Sequence, residues 1–427
     1  MKVIITKNYE EMSDKAFEIM AEVVKNKPDA VLGLATGSTP IGLYKRMIAD
    51  HNENGTSYKK VHTVNLDEYA GLDYSSDQSY VYFMRDNLFD HIDIDLKNTN
   101  IENGAGGSDA MDGTTKDLSI IAETVAKEGT TTFLATTMTQ SKENILKAMR
   151  AVKEYRETGS EKGARIAGIH LEGPFIAAAH KGAQPLEYVA APNAEVFDEY
   201  NEASGNCIKI ITLAPEVDGA IGFIRHLKEK GVVVSIGHTG AKCTEVLQAM
   251  DAGATNITHT YNAQSPLHHR EIGVVGSALL FDDLYCELIS DTIHVSVPAM
   301  QLLVKNKKAD KLALITDAMR AKGLADGISE LGGQTVIVKN GEARLQDGTL
   351  AGSVLKMNVA VKNMVEKVGV PLTQAVDYCT INPARTLKID GETGSIATGK
   401  RADFAVLGKN YEVLYTIRDG KIVYKAE

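Results

Sequence analysis

The chain has 427 residues, 44% hydrophobic and 24% charged, enough for about two or three domains, or one barrel with an appendage, and for a sizeable core. A formal net charge of −10 argues against nucleic acid and anionic membrane as partners, and no run of about 18 apolar residues is present to span a bilayer. The start, MKVIITKNYEEM, lacks a leader pattern, and Cys207, Cys243, Cys286 and Cys379 are scattered without a Cys-x-x-Cys, so the expectation is a cytoplasmic protein with reduced thiols.

In chain order, VIIT predicts a short strand and EEMSDKAFEIMAEVVKNK a helix with apolar residues at helical spacing. AVLGLATGSTPIGLYKRMIADHN reads as a strand, a Gly/Thr/Ser turn and a helix; VHTVNLDEY as a strand ending in acids; SYVYFMRDNLFDHI as a helix. Residues 1–103 thus form a Rossmann-like α/β fragment with too few strands to complete such a sheet. From residue 116 the rhythm changes. TTFLATTMT, ARIAGIHLEG, CIKIITLAPE, GVVVSIGHT, ATNITHTYNA, YCELISDTIHV and KLALITDAM are apolar strands, each followed by helix-like sequence, and nearly all carry polar or ionisable residues at the carboxyl end. That is the pattern of an α/β fold of the (β/α)8 TIM-like barrel class, whose site lies at the C-terminal face of its strands. The pattern is one strand short, and the strand lost or replaced is the first, immediately before GAGGSDAMDG. The barrel is expected over 104–330. Over 331–427 the chain predicts hairpins with Asn-Gly and Asp-Gly turns, helices that close the barrel, and the strands of a partial C-terminal β-sandwich.

Three strand ends carry metal-type ligands: His170 and Glu172 in HLEG, His238 in SIGHT and His259 in THTYNA. One carboxylate and two imidazoles on strand ends suit Zn2+ or a similar divalent ion with open positions for water and substrate. Asp317 in ITDAM adds a carboxylate able to take a proton from an attacking water and return it to a leaving amine. A lone strand-end histidine is more often structural; a set at four strand ends points to a mononuclear metal hydrolase.

HLEGPF, SIGHT, THTYNA, LITDAM and GSIATGKRADFAVL, in this order, resemble the N-acetylglucosamine-6-phosphate deacetylases of the amidohydrolase superfamily over about residues 104–427. The resemblance implies metal-dependent conversion of N-acetylglucosamine 6-phosphate and water to glucosamine 6-phosphate and acetate. It implies one divalent metal ion, zinc by preference, on Glu172, His238 and His259, and Asp317 as general base and then acid. Sugar contacts would come from Ala183 and Gln184 in HKGAQP, Asn262 and Ala263 after the second histidine, and Leu350, Ala351 and Gly352 in TLAGS. Phosphate recognition would fall to Arg270 in HHREIG and His294 in DTIHV; in relatives the arginine comes from the neighbouring subunit, which implies a homodimer.

The first 103 residues resemble something else. LGLATGSTPIGLY and NLDEYAGLDYSSDQSYVYFM are similar to the start of the glucosamine-6-phosphate deaminases, with TGSTP at that family's phosphate-side turn and Asp67 at its proton-transferring aspartate. The later catalytic segment of that family is absent, so no deaminase activity is expected. The sequence thus resembles two truncated enzymes joined near Asn103-Gly104. Aligning on GAGG puts Ile101 and Asn103 where the deacetylases' first strand commonly carries His-x-His or Gln-x-Asn, which argues for one metal and against two. NTNIENG is the one candidate to replace that strand, although polar and short. Two other readings stay open: a catalytically impaired hybrid, and a hydrolase of another N-acetylated sugar phosphate.

Overall fold

Asn8, Ser79, Thr114 and Ser141 each accept, through a side-chain oxygen, the backbone N–H three residues on, and a helix begins after each. These caps punctuate a computed structural model that describes residues 4–65, 79–101, 107–159 and 162–426. The chain divides into two compact units, Met1–Gly107 and Ser108–Glu427.

The first unit contains helices α1 (Tyr9–Asn26), α2 (Ile41–Asn54) and α3 (Tyr80–Asn87) and strands β1 (Val31–Leu34), β2 (His62–Asn65) and β3 (Thr99–Ile101). The strands form a parallel sheet in the order β1-β2-β3. Leu32, Leu34, Tyr44, Met47, Val61, Met84 and Phe89 are among the residues of its core. The strand expected at VIIT is a correction: residues 4–6 lie outside any strand, and Ile5 is 91% exposed. A run of β-branched residues forms a strand only where a sheet edge is available to pair with it. The segment considered as a stand-in for the barrel's first strand pairs elsewhere, with Thr63 opposite Thr99 and Asn65 opposite Ile101 in this first sheet. Asp67, Asn103 and Gly104 lie outside the described residues.

The second unit is built on seven parallel strands: β4 (Thr132–Thr137), β5 (Arg165–Glu172), β6 (Ile208–Leu213), β7 (Val233–Ile236), β8 (Asn256–Ile257), β9 (Tyr285–Ile289) and β10 (Leu312–Ile315). They pair in chain order into one curled sheet, a half-barrel, with β4 and β10 at its ends. Among the described residues no eighth strand pairs with either end. Strands covered on both faces need apolar residues on both, and all four residues of β7 are buried. Helices α4 (Thr115–Ala126), α5 (Lys142–Thr158), α6 (Ala194–Ala203), α7 (Ala220–Glu229), α8 (Cys243–Ala252), α9 (Gly273–Leu280) and α10 (Val297–Asn306) alternate with the strands. Their apolar faces and the sheet share one continuous core, which includes Ile169, Leu213, Ile236, Phe197 and Leu314. Beyond the C-terminal end of β10, Lys322 forms a buried ion pair at 2.7 Å with Glu128, which stands just before β4. Arg320 likewise reaches Asp112, just before α4, at 2.7 Å.

After β10 the chain makes an antiparallel sheet of β11 (Gly327–Leu331), β12 (Gln334–Lys339) and β13 (Glu342–Leu345). Its two hairpins turn at Gly332-Gly333 and at Asn340-Gly341, with positive φ at all four residues, the geometry that matches the twist of the flanking strands. Asp347 and Gly348 then turn the chain back, so that Leu350 bridges Arg344 and Ser353 bridges Ala318, one residue past Asp317. Helices α11 (Met357–Asn363), α12 (Leu372–Cys379) and α13 (Ile381–Thr386) follow. A last antiparallel sheet of β14 (Phe404–Leu407), β15 (Val413–Arg418) and β16 (Lys421–Lys425) packs by Thr416 on the carbonyl of Ala126. No helix among the described residues is long and apolar enough to cross a membrane.

Candidate metal centre and active site

The residues with chemistry stand where the strands of the half-barrel end and the backbone turns sharply. Of eleven non-glycine residues with positive φ among the described residues, six follow strands of the half-barrel: His238 (50°), His259 (29°), Tyr261 (85°), Ala263 (50°), Thr292 (70°) and Asp317 (47°). Left-handed backbone costs a residue with a Cβ about 1–3 kcal/mol and persists where the surroundings hold it. Here the sharp turns let β8 stop after two residues and aim His259 back over the sheet.

Glu172, His238 and His259 converge. Their ligand atoms lie within 4.8 Å of one another, and all three residues are buried. Glu172 Oε1 is 3.1 Å from His238 Nε2 and 3.8 Å from His259 Nε2, and the two imidazole nitrogens are 3.2 Å apart. The carbonyl of His180 lies 2.9 Å from His238 Nδ1 and fixes the proton there, so a neutral His238 turns its lone pair on Nε2 into the cluster. Lone pairs packed this closely need a cation or a proton among them. Donors about 2.0–2.2 Å from a tetrahedral zinc ion stand roughly 3.3–3.6 Å apart, so the donor set and its spacing fit a small divalent cation.

The electrostatics agree. Burial opposes the charge on Glu172, yet hydrogen bonding to His238 and His259 holds its carboxyl well below the usual range. Burial also opposes a proton on His259, but the Glu172 carboxylate pushes that imidazole up to about 9. Asp317 feels the charges of Glu172, His259, His294 and His238; burial first, and the Glu172 charge second, raise its carboxyl. His170 does not join the cluster: it lies a layer below, held by burial at about 4 and therefore neutral. Its Nε2 meets Thr212 Oγ1 at 2.7 Å, and hydroxyl contacts continue through Thr258 to Ser235.

The other sequence candidates divide into three groups. Some border the cluster. Gly182 lies against His238, and Ala263, whose carbonyl accepts from Thr239 N, lies beside that loop. Asn262 folds back on the His259 carbonyl. Gly352, at φ +67, has its Cα so near Asp317 that an added Cβ would stand 3.2 Å from the Asp317 carbonyl oxygen. Leu350, Ala351 and Ala183 contact the antiparallel sheet instead: Leu350 bridges Arg344, the Ala351 N–H donates to the Ala343 carbonyl, and Ala183 accepts from Gln334 through its carbonyl. His294 is paired with Asp291. Arg270 stands apart: it is exposed, and its guanidinium meets the neighbouring His269 at 2.7 Å.

Gln184 makes a contact that the resemblance did not imply, to Glu172. Its Oε1 accepts from Thr139 N at 2.6 Å, which forces Nε2 to be the donor to Glu172 Oε1 at 2.9 Å. It fixes the orientation of the Glu172 carboxylate, which would matter to any cation held there. Gln184→Ala is therefore expected to weaken divalent-metal affinity by about 10–100-fold, read by competition with a chelator, and unchanged affinity would reject this role. Glu287 was missed by sequence reading. It lies in the middle of β9, where burial pushes its carboxyl up to about 7, and its Oε2 is 3.4 Å from the backbone N of His259. The available signal was an acid inside the apolar run YCELI.

Comparison with known proteins agrees with this site. Residues 107–423 match the model of the amidohydrolase family. The chain is 44% identical to the N-acetylglucosamine-6-phosphate deacetylase of Bacillus subtilis (strain 168) over 323 residues, 75% of this chain and 82% of that protein. It is 38% identical to the N-acetylgalactosamine-6-phosphate deacetylase of Escherichia coli O157:H7 over 310 residues, 73% of this chain and 82% of the other. The crystal structure of N-acetylglucosamine-6-phosphate deacetylase from Thermotoga maritima superposes with a TM-score of 0.70 at 37% identity, covering 75% of this chain and 85% of that one. From residue 107 to residue 423 the chain belongs to the amidohydrolase family, in the branch that holds the N-acetylglucosamine-6-phosphate deacetylases.

Proposed function

We propose that the chain hydrolyses the acetamide of N-acetylglucosamine 6-phosphate to glucosamine 6-phosphate and acetate. The observation that carries this reading is the buried convergence of Glu172, His238 and His259, with the raised carboxyl of Asp317 close enough to feel all three. Those three residues would hold one divalent ion, zinc by the two-nitrogen, one-oxygen donor set. When bound, such an ion supplies Lewis-acid polarisation of the acetyl carbonyl and a lowered pKa for the attacking water. Asp317 takes the proton from that water as its oxygen bonds to the acetyl carbon. It returns the proton to the sugar nitrogen as the C–N bond breaks, so the amine leaves neutral. Ala183, Asn262, Ala263, His294 and residues 350–352 line the substrate side in this reading, and Gln184 acts through Glu172. Acetate release with added Zn2+ and with chelator tests the proposal; folded protein without chelator-sensitive release overturns it. The 38% identical relative named for the galactosamine sugar favours a second substrate, N-acetylgalactosamine 6-phosphate, which the same assay measures.

Arg270 is read as a phosphate contact delivered to a second copy of the chain in a homodimer. Its exposure, and a guanidinium that meets the neighbouring imidazole of His269 rather than an acid, support this. Arg270→Ala is expected to raise KM by roughly 10–100-fold with kcat kept, since a charge-assisted hydrogen bond is worth about 1.5–3 kcal/mol. A monomer by sedimentation, or an unchanged KM, rejects it.

The remaining reading concerns the first 103 residues, as a fragment resembling the glucosamine-6-phosphate deaminases. The seam falls where β3 closes the first sheet and the half-barrel has yet to begin, which supports a barrel that has lost its own first strand. The later catalytic segment of that family is not in the sequence, so no ammonia release from glucosamine 6-phosphate is expected.

A further inference from the structure

We infer that Asp291 is the positioning residue of His294: it commits one ring proton to Nδ1 and so decides that Nε2 is the atom offered to substrate. This rests on the reading of His294 as a substrate contact. The turn after β9 supplies the geometry. Asp291 Oδ2 is 2.6 Å from His294 Nδ1, and both side chains are only 7% exposed. Asp291 Oδ1 accepts the backbone N–H groups of Ile293 and His294, each at 2.8 Å. Between them Thr292 sits at φ +70, a conformation that a β-branched residue adopts only under constraint. One carboxylate therefore holds a strained turn with one oxygen and a ring with the other.

Burial opposes the Asp291 charge, but the contacts with His294 and the two N–H groups keep the carboxyl below its usual range. An ionised carboxylate has no proton to give, so Nδ1 must be the donor. Nε2 is then a bare acceptor in the neutral ring, and becomes a donor only by taking a second proton, whose charge Asp291 balances. The His294 ring lies near enough to the reacting centre for Asp317 to feel its charge.

Asp291→Asn separates positioning from turn-capping. An amide has one acceptor oxygen where the carboxylate has two; the two backbone N–H groups claim that oxygen, and the NH2 then faces the ring as a donor and calls for a bare Nδ1. Asp291→Ser is the second variant, because a hydroxyl caps such a turn but does not reach the ring. Histidine tautomers are read from long-range 1H–15N spectra of the full chain labelled with 15N-histidine, with His294→Gln assigning the signal among 11 histidines. In both variants the Nδ1–H signal of His294 is expected to be lost. kcat/KM should fall by at least about tenfold, the same change in a Ser-His-Asp triad costing roughly 10⁴-fold in kcat, with thermal unfolding close to the parent's. Persistence of Nδ1–H in Asp291→Asn overturns the inference. So does a lost signal with unchanged kinetics, since the ring's protonation would then not matter to turnover. A parent chain that releases no acetate from this substrate would overturn the proposed function instead, while the spectra still report on the Asp291–His294 pair.

Discussion

Asp317→Asn is expected to lower kcat for acetate release by about 10²–10⁴-fold, the usual contribution of a positioned proton carrier, and to leave bound metal at the parent level. The substitution is close to isosteric, and asparagine is among the few residues that tolerate the left-handed backbone Asp317 adopts at φ 47. The backbone contacts survive as well: the Asp317 carbonyl accepts from Ser353 N at 2.7 Å whatever the side chain. What is lost is the capacity to accept a proton. Burial raises the Asp317 carboxyl, and only its ionised form can accept the proton, so activity should fall as pH drops and that carboxyl becomes protonated. The variant should lose this acid limb from any residual rate. Acetate assays across pH, with elemental analysis of the same samples, check both parts. Full activity in the variant would remove Asp317 from the reaction, and lost metal would make it a ligand instead.

How much of this was legible in the sequence follows from what each residue needs around it. The seven strands of the half-barrel were, because a parallel strand covered on both faces is largely apolar along its length and turns polar mainly at its end; KLALITDAM shows this directly. The same rule made Glu172, His238, His259 and Asp317 visible, since they are ionisable residues at or just past the ends of such runs. VIIT failed because strand formation depends on a neighbouring edge, which composition does not encode. The partners of Gln184 and Asp291 were hidden for a related reason. A hydrogen bond between residues 12 apart through a loop, or between an aspartate and a histidine across a strained turn, depends on backbone angles that the residue names do not specify. Glu287 was overlooked since one acid in an apolar run reads as a strand's solvent side until the interior of the sheet is seen.

His238→Ala is expected to abolish stoichiometric metal in the purified protein and, with it, chelator-sensitive activity. The imidazole supplies one of three converging donors, and its removal leaves Glu172 and His259 at 3.8 Å, a two-ligand set too poor to hold the ion against water. A second effect follows from burial. Glu172 is 8% exposed and loses the neighbour at 3.1 Å that helps hold its charge. Removing one partner of a buried ionic contact costs about 3–5 kcal/mol. Here Gln184 at 2.9 Å and His259 remain, so the loss should fall below that range. The parent has a further term that the variant lacks: metal that binds only the folded state adds stability that grows with its concentration. Added Zn2+ should therefore raise the unfolding temperature of the parent and leave that of His238→Ala unchanged. Protons compete for the same atoms, because the ligands bind metal only when His259 has given up the proton that Glu172 otherwise holds on it. The metal-dependent rise in the parent should shrink as pH falls. Zinc retained at one per chain in the variant, or an equal shift in both proteins, would place the ion somewhere other than on these three residues.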